Sequence, residues 1–441
     1  MLYEAFFILM DIKELYKIYK DHPEVTIDSR VCPSGGLFFA LRGTRTDGNR
    51  YAEDALRKGC AYAIVDDPKV VRGSGYILVK DTLKTLQGIA KEHRKHLNVP
   101  VLAITGSNGK TTTKELIMRI LSRKYHVAGT IGNLNNHIGL PLSILKVRSD
   151  AEIVVLEMGA NHPGEIAELC KIADPTYGII TNIGKAHLEG FVSVKQIIKT
   201  KTALYYYLRK NGGTIFFHQN DAILKDKLLP SDNLVSYGTN GQPDYLFADP
   251  RMNPYLSFLW KKTTGDKRVK TQLYGMYNFE NVMAAITVGA YFGVEDDMIL
   301  DAVNDYVPEN MRSQIKQTGK NTVILDAYNA NPTSMRYAIE EFAKQPAEKK
   351  ALILGDMAEL GEQSEVEHEK ILQLVRNKDF SPENVFLAGE MFSRLSGHYK
   401  YLGFKTTRDL IDYLKKNALR NYMILLKGSR LMKMEEVLSV I

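Results

Sequence analysis

The stretch Val101-Leu102-Ala103-Ile104-Thr105-Gly106-Ser107-Asn108-Gly109-Lys110-Thr111-Thr112-Thr113 constrains the chain more than any other. Its apolar start predicts a buried parallel strand, Gly-Ser-Asn-Gly cannot continue that strand, and Lys-Thr-Thr-Thr-Lys-Glu-Leu-Ile opens a helix. Strand, glycine loop and helix N-terminus in this order make a phosphate cradle. The glycines let successive N–H groups turn inward, the helix dipole adds positive potential, Lys110 supplies a mobile cation, and the Thr111 hydroxyl suits Mg²⁺. The spacing departs from the common G-x-x-x-x-G-K-[ST] pattern, because Ile104 stands where its first glycine falls. The loop implies a polyphosphate ligand and leaves open whether the nucleotide drives motion, signalling or synthesis.

A chain of 441 residues is too long for one ordinary core and predicts about three domains. With 44% hydrophobic and 25% charged residues it reads as globular and soluble. The Leu2-to-Met10 run is short and contains Glu4, with neither a basic leader nor a small-residue cleavage site, so it predicts no signal peptide and no membrane span. Cys32, Cys60 and Cys170 are odd in number and far apart, which gives no disulfide framework and fits a reducing cytoplasm. The net charge of +7 is spread among acids rather than gathered in blocks, which argues against nucleic acid and for small polyanionic ligands.

From Asp11 to about Asn98 short strands and helices alternate between glycine turns. Ser29 and Arg30 beside such turns suit a phosphorylated or nucleotide-linked substrate, with a solvated surface arginine as the competing reading. After the phosphate loop, Gly132-Asn133-Leu134-Asn135-Asn136-His137-Ile138-Gly139-Leu140-Pro141 is too polar and glycine-rich for a regular element, and Asn135 and Asn136 could orient a peptide or sugar. The strand Ile153-Val154-Val155-Leu156 ends in Glu157, where a nucleotide-bound Mg²⁺ would be met. Tyr177-to-Gly184 repeats the plan and leaves through Lys185-Ala186-His187. One helix is expected from about Ser193 to Leu208, with Lys195, Lys199 and Lys201 on it; residues 230–270 read as turns and edge strands. Asn278 and Asn281 lie three apart on a helix and can face one ligand, an N-cap role for Asn278 being the alternative. From near Met311 the pattern is βα alternation, with strands ending at Asp326, Gly355, Gly389 and Lys427. The polar strand ends describe one binding edge without a second phosphate loop, suited to presenting a second substrate.

Taken together these motifs resemble the Mur ligases of peptidoglycan synthesis, and the resemblance spans nearly the whole chain. The carriers are the phosphate loop, Glu157-Met158-Gly159, Thr181-Asn182-Ile183-Gly184-x-Ala186-His187 and the Asn278/Asn281 helix. The segment 132–141, Asp326-Ala327-Tyr328-Asn329-Ala330-Asn331-Pro332 and Leu354-Gly355-Asp356-Met357-Ala358-Glu359-Leu360-Gly361 point to the branch that adds D-alanyl-D-alanine to UDP-N-acetylmuramoyl-tripeptide. The resemblance implies an α/β fold of three domains. These are a small N-terminal α/β domain for the UDP part (1–98), a central P-loop ATPase-like domain with a parallel or mixed sheet (99–310) and a Rossmann-like C-terminal domain (311–441). It implies ATP-dependent ligation through an acyl phosphate by a cytoplasmic monomer, on small-molecule substrates and without nucleic acid or membrane insertion. It further implies that Gly106, Ser107, Asn108, Gly109, Lys110, Thr111 and Thr112 cradle the phosphates. Two Mg²⁺ ions would be held by Thr111, Glu157, His187 and Lys201, the last as a carbamate. Asn278 and Asn281 would meet adenine, and Arg312 and Asp326 the nucleotide from the closing domain. Ser29, Arg30, Asn135, Asn136, Asn329 and Asn331 would hold the other substrates. The rivals are a sister Mur or folate-glutamate ligase and a P-loop ATPase that makes no covalent product.

Overall fold

A computed structural model describes residues 10–44 and 46–441; nearly all of the Leu2-to-Met10 run lies outside them. Three sheets organise the chain. The first is parallel, in the order β1 (Val25–Thr26), β2 (Leu37–Phe39), β3 (Tyr62–Val65), β4 (Tyr76–Leu78).

The second sheet contains β5 (Val101–Thr105), β6 (Val127–Gly129), β7 (Ile153–Glu157), β8 (Tyr177–Ile180), β9 (Thr214–His218), β10 (Asn233–Gly238), β11 (Tyr245–Met252), β12 (Leu256–Lys261) and β13 (Lys267–Lys270). Their order is β13-β12-β11-β10-β9-β8-β5-β7-β6. Only the β11–β12 and β12–β13 pairings are antiparallel. The chain leaves β5 for β6 and β7 on one side, then crosses to β8 on the other. β5 is therefore the switch point of the sheet, and a crevice opens at its carboxyl end.

Both faces of β5 are covered, which is why its sequence is an unbroken apolar run. Leu102 and Ile104 pack with the helices Lys110–Leu121 and Asn278–Tyr291. Val101 and Ala103 join a core that continues into Leu15, Tyr19, Leu86 and Ile89 of the N-terminal region, so the first two sheets share one hydrophobic body. Arg94 reinforces the join by donating to the carbonyls of Ala173 and Asp174 at 2.9 Å each.

The third sheet runs β14 (Gln314–Gln317), β15 (Thr322–Asp326), β19 (Met423–Lys427), β16 (Lys350–Gly355), β17 (Val385–Ala388), β18 (Leu402–Phe404), with only β14 antiparallel to its neighbour. β15, β16, β17 and β19 are the strands read from the sequence; β14 and β18 add short edges.

Three local readings need correction. Residues 230–270, read as turns and edge strands, form β10 to β13, of which only β13 is an edge, and Leu256, Phe258 and Trp260 alternate into the core. The expected helix around 193–208 is two helices, Val194–Lys201 and Ala203–Lys210, broken at Thr202. The Thr202 hydroxyl donates back to the Ile198 carbonyl at 2.8 Å, a bond that bends helices. The polar segment 132–141 ends inside a helix, Gly139–Leu145, because Asn136 Oδ1 accepts from the amides of Ile138 and Gly139 and Pro141 falls in the first turn. Among the described residues no helix is long and apolar enough to cross a membrane.

Candidate active site

The phosphate loop follows β5 and opens the helix Lys110–Leu121. Gly109 caps that helix at φ +79°, and a Cβ there would come within 2.2 Å of Asn281 Oδ1, so only glycine fits. At Gly106 (φ +144°) a Cβ would come 1.9 Å from Thr181 Oγ1. The first intrahelical bond of this helix runs from Thr113 N–H to the Gly109 carbonyl. The amides of Lys110, Thr111 and Thr112 thus have no intrahelical acceptor and present the donor set of an anion site.

The segment after β8 holds the loop in place. Ser107 N–H donates to the Asn182 carbonyl at 3.0 Å, Asn108 N–H to Asn182 Oδ1 at 3.1 Å, and the Thr181 hydroxyl to the Asn108 carbonyl at 2.6 Å. Gly184 N–H donates to Ser107 Oγ at 2.9 Å. Lys110 folds back onto the carbonyls of Gly106 (2.8 Å) and Ser107 (3.3 Å). Burial pushes its ammonium down from the ordinary lysine value, and Glu157 opposes the shift.

These residues line a cavity of about 780 Å³ that also takes in the carboxyl ends of the third sheet. From the expected set it brings together Ser107 to Thr112, Asn135, Asn136, Glu157, His187, Asn278, Asn281, Arg312, Asp326, Asn329 and Asn331. Glu157 is 1% exposed; Oε1 accepts from Asn135 Nδ2 at 2.7 Å, and Oε2 is buried without a partner. Asn108 Nδ2 and Arg312 Nε are likewise buried and unpartnered. Two donors and one carboxylate oxygen left open around an orphan-amide loop suit a phosphate chain and its counter-cation. The Arg312 guanidinium lies 3.9 Å above the Tyr328 ring, which fixes its plane.

Some expected residues are engaged differently. Asn278 is buried and spends both donors on the Tyr274 carbonyl (2.8 Å) and Ser313 Oγ (3.1 Å), while its Oδ1 accepts from Asn281 Nδ2 at 2.9 Å. Asn281 Oδ1 also accepts from the Thr113 hydroxyl at 3.2 Å, so the pair braces the helix that carries the loop. Asn278 does not cap its helix; the preceding Tyr277 holds that position. Asp326 receives the buried Lys427 ammonium at 2.5 Å, and the same ammonium reaches the Asn329 carbonyl at 3.3 Å. Asn331 caps the helix Pro332–Ala343 and donates from Nδ2 to Asn108 Oδ1 at 2.7 Å, joining the third sheet to the phosphate loop.

Lys201 lies outside the cavity lining. It is 1% exposed, 6.0 Å from the Phe191 ring centre, and makes no hydrogen bond or ion pair among the described residues. Burial, then the like charge of Lys110, lower its pKa well below the usual lysine value. Ser29 and Arg30 are also elsewhere: Arg30 is 85% exposed and clasps Asp28 from Nε (2.9 Å) and NH2 (2.7 Å).

Residues that the motifs did not assign also enter the site. Glu280 lines it between the two asparagines, and Glu359 meets His187 there. The only advance signal for Glu359 was an acid inside the Leu354-to-Gly361 motif; Glu280 gave none.

Comparison with known proteins follows the same lines. Three family models match consecutive parts of the chain: "Mur ligase family, catalytic domain" at residues 23–103, "Mur ligase middle domain" at 104–289 and "Mur ligase, glutamate ligase domain" at 311–430. The UDP-N-acetylmuramoyl-tripeptide–D-alanyl-D-alanine ligase of Bacillus subtilis is 34% identical over 424 residues, 94% of this chain and 92% of the relative. A crystal structure of MurF from Acinetobacter baumannii superposes with a TM-score of 0.84 at 30% identity, covering 94% of this chain and 92% of the other. MurF from Thermotoga maritima, solved in complex with ADP, gives 0.82 at 28% identity over 95% and 96%.

Proposed function

The chain belongs to the Mur ligase family, and on that premise we propose that it joins D-alanyl-D-alanine to UDP-N-acetylmuramoyl-tripeptide at the expense of ATP. The observation that carries the reading is the single cavity in which orphan amides of a phosphate loop face the polar strand ends of the third sheet. One wall suits the nucleotide and the other a second substrate.

The tripeptide's terminal carboxylate oxygen attacks the γ-phosphorus of ATP, and ADP leaves with the bond's electrons. The amine of D-alanyl-D-alanine then attacks the acyl carbon, phosphate departs, and the nitrogen releases a proton. Two anions must first meet: at ~4 Å and an effective dielectric of about 20, like unit charges repel by about 4 kcal/mol. Lys110 leaves its loop carbonyls for the phosphates, the amides of Lys110, Thr111 and Thr112 hold the transferred group, and Arg312 adds charge from the third sheet. Asn135 and Asn136 sit where the acceptor peptide arrives. Asn329 and Asn331 serve the dipeptide. Amine activation needs no strong base, since a reference pKa near ~8 leaves roughly a tenth neutral at pH 7.

The donor set also fits a divalent cation. Among the described residues no three His, Cys, Asp or Glu side chains cluster, but Mg²⁺ is commonly bound by one or two carboxylates together with phosphate and water. Glu157 Oε2 and the Thr111 hydroxyl would hold such an ion, which would lower the charge of the phosphates. His187 and Lys201 would hold a second. Burial lowers the Lys201 pKa, which favours the neutral amine that can add CO₂, and the resulting carbamate would be an anionic ligand.

The test is phosphate release with mass spectrometry of the product. Release is expected only when ATP, UDP-N-acetylmuramoyl-tripeptide and D-alanyl-D-alanine are all present, with one peptide bond formed per phosphate. Turnover without acceptor and amine would identify a switch ATPase, and preference for a single amino acid would identify a sister ligase.

A further inference from the structure

The loop that carries His187 takes its shape from the third sheet's side of the molecule. Lys185 N–H donates to Thr333 Oγ1 at 3.1 Å, and the Lys185 ammonium reaches Glu367 Oε1 at 2.9 Å. Glu189 N–H donates to the Glu359 carbonyl at 3.1 Å, and Gly361 packs against Glu189. Within this clamp the Glu359 carboxylate touches His187 Nδ1. Both residues hold left-handed backbone, φ +53° at His187 and +60° at Glu359. Such conformations are costly for non-glycine residues and persist where the surroundings enforce them.

A histidine that serves a metal usually gives its other ring N–H to a carboxylate or carbonyl, and that partner fixes tautomer and ring orientation. The Glu359 carboxylate lies against His187 Nδ1, which is buried and has no other polar partner, and Nε2 makes no hydrogen bond among the described residues. We infer that Glu359 is a positioning residue, reaching across from the C-terminal part of the chain to hold the His187 imidazole by Nδ1 and leave Nε2 to bind a divalent cation. The inference rests on the reading of His187 as a cation ligand proposed above. It adds that the ligand is competent only when the two sheets are closed on each other, because its orienting partner comes from the opposite side.

Mn²⁺ titration by electron paramagnetic resonance, with ADP present and no turnover, tests this on wild type, E359A, E359Q and H187A. Loss of an orienting partner of this kind typically costs ten- to a hundredfold in metal affinity. E359A is expected to weaken the Mn²⁺ site that H187A abolishes by that factor. It should raise the Mg²⁺ concentration for half-maximal ligation in proportion, with kcat at saturating Mg²⁺ falling less. E359Q, whose amide oxygen still accepts from Nδ1, should lie between. If H187A weakens the site and E359A titrates as wild type, the positioning role is overturned while the metal reading stands. If H187A also titrates as wild type, the metal reading fails and the inference with it.

Discussion

Glu280 shows how much of a site can turn on one carboxyl. It lines the cavity with Asp221 behind it and His218 Nδ1 3.9 Å away. Burial, then the Asp221 charge, raises its pKa from 4.5 to about 7. The folded protein keeps this proton up to about pH 7, whereas the unfolded chain releases it near 4.5. Between those values the folded state binds more protons, so stability falls as pH rises. The contribution is complete below pH 4.5 and lost above about 7. The melting temperature of wild type minus that of E280Q should therefore decline from pH 4.5 to 7 and be level on either side. The effect is modest, since 46% of the side chain reaches solvent; a level difference throughout would refute the assignment. Nothing adjacent in sequence announces this carboxyl, because its perturbing neighbours come from the end of β9. Lys110 is the opposite case, since the glycines and the helix N-terminus that announce it as a phosphate ligand lie within a few residues of it.

At the scale of elements, the helix Pro332–Ala343 joins local and distant demands at its first residue. Asn331 Oδ1 accepts from Ser334 N–H at 2.9 Å, Ser334 Oγ accepts from Asn331 N–H at 3.1 Å, and Pro332 supplies the preset first turn. The same side chain reaches Asn108 in the phosphate loop. Asn331→Ala should lower the unfolding free energy of this region by about 1 kcal/mol, the usual worth of an N-cap, and Asn331→Ser should restore most of it. Neither variant can span to Asn108, so both should raise the KM for ATP to a similar extent. Chemical denaturation and steady-state kinetics separate the two effects, and recovery of KM by the serine would contradict the bridging role. The cap was legible as Asn-Pro before an apolar helical pattern; the bridge was not, since its partners stand 223 residues apart. β10 to β13 read only as turns and edge strands for a related reason: short alternating runs flanked by Lys, Gly and Thr give no sign that they extend the central sheet until the neighbouring strands are in place.

For the molecule as a whole, polar contacts join the third sheet to the second, beside a small apolar contact in which Tyr274, Leu188 and Met252 pack on the third sheet's core. The Lys185–Glu367 pair is one of the polar contacts: Lys185 is half exposed, while Glu367 is buried and also paired with Lys370. Lys185→Ala leaves Glu367 a partner and should cost about 0.5–1 kcal/mol, the range of exposed ion pairs, or a two- to fivefold shift toward the open arrangement. Small-angle scattering of the ligand-free protein should show a larger radius of gyration, with the KM for D-alanyl-D-alanine raised by a similar factor; unchanged scattering would remove closure from the account. The sequence by itself determined the phosphate loop, the apolar strands and the polar strand ends. Each of these depends on the conformational preferences of a few consecutive residues and on burial patterns with a short period. Only the tertiary structure decided that Asn331 meets Asn108, that Glu359 meets His187, and that Lys201 is buried just outside the cavity lining in a setting that disfavours its charge. Those facts depend on which strand ends the switch point and domain packing bring together, and local propensity carries no information about partners a hundred or more residues away.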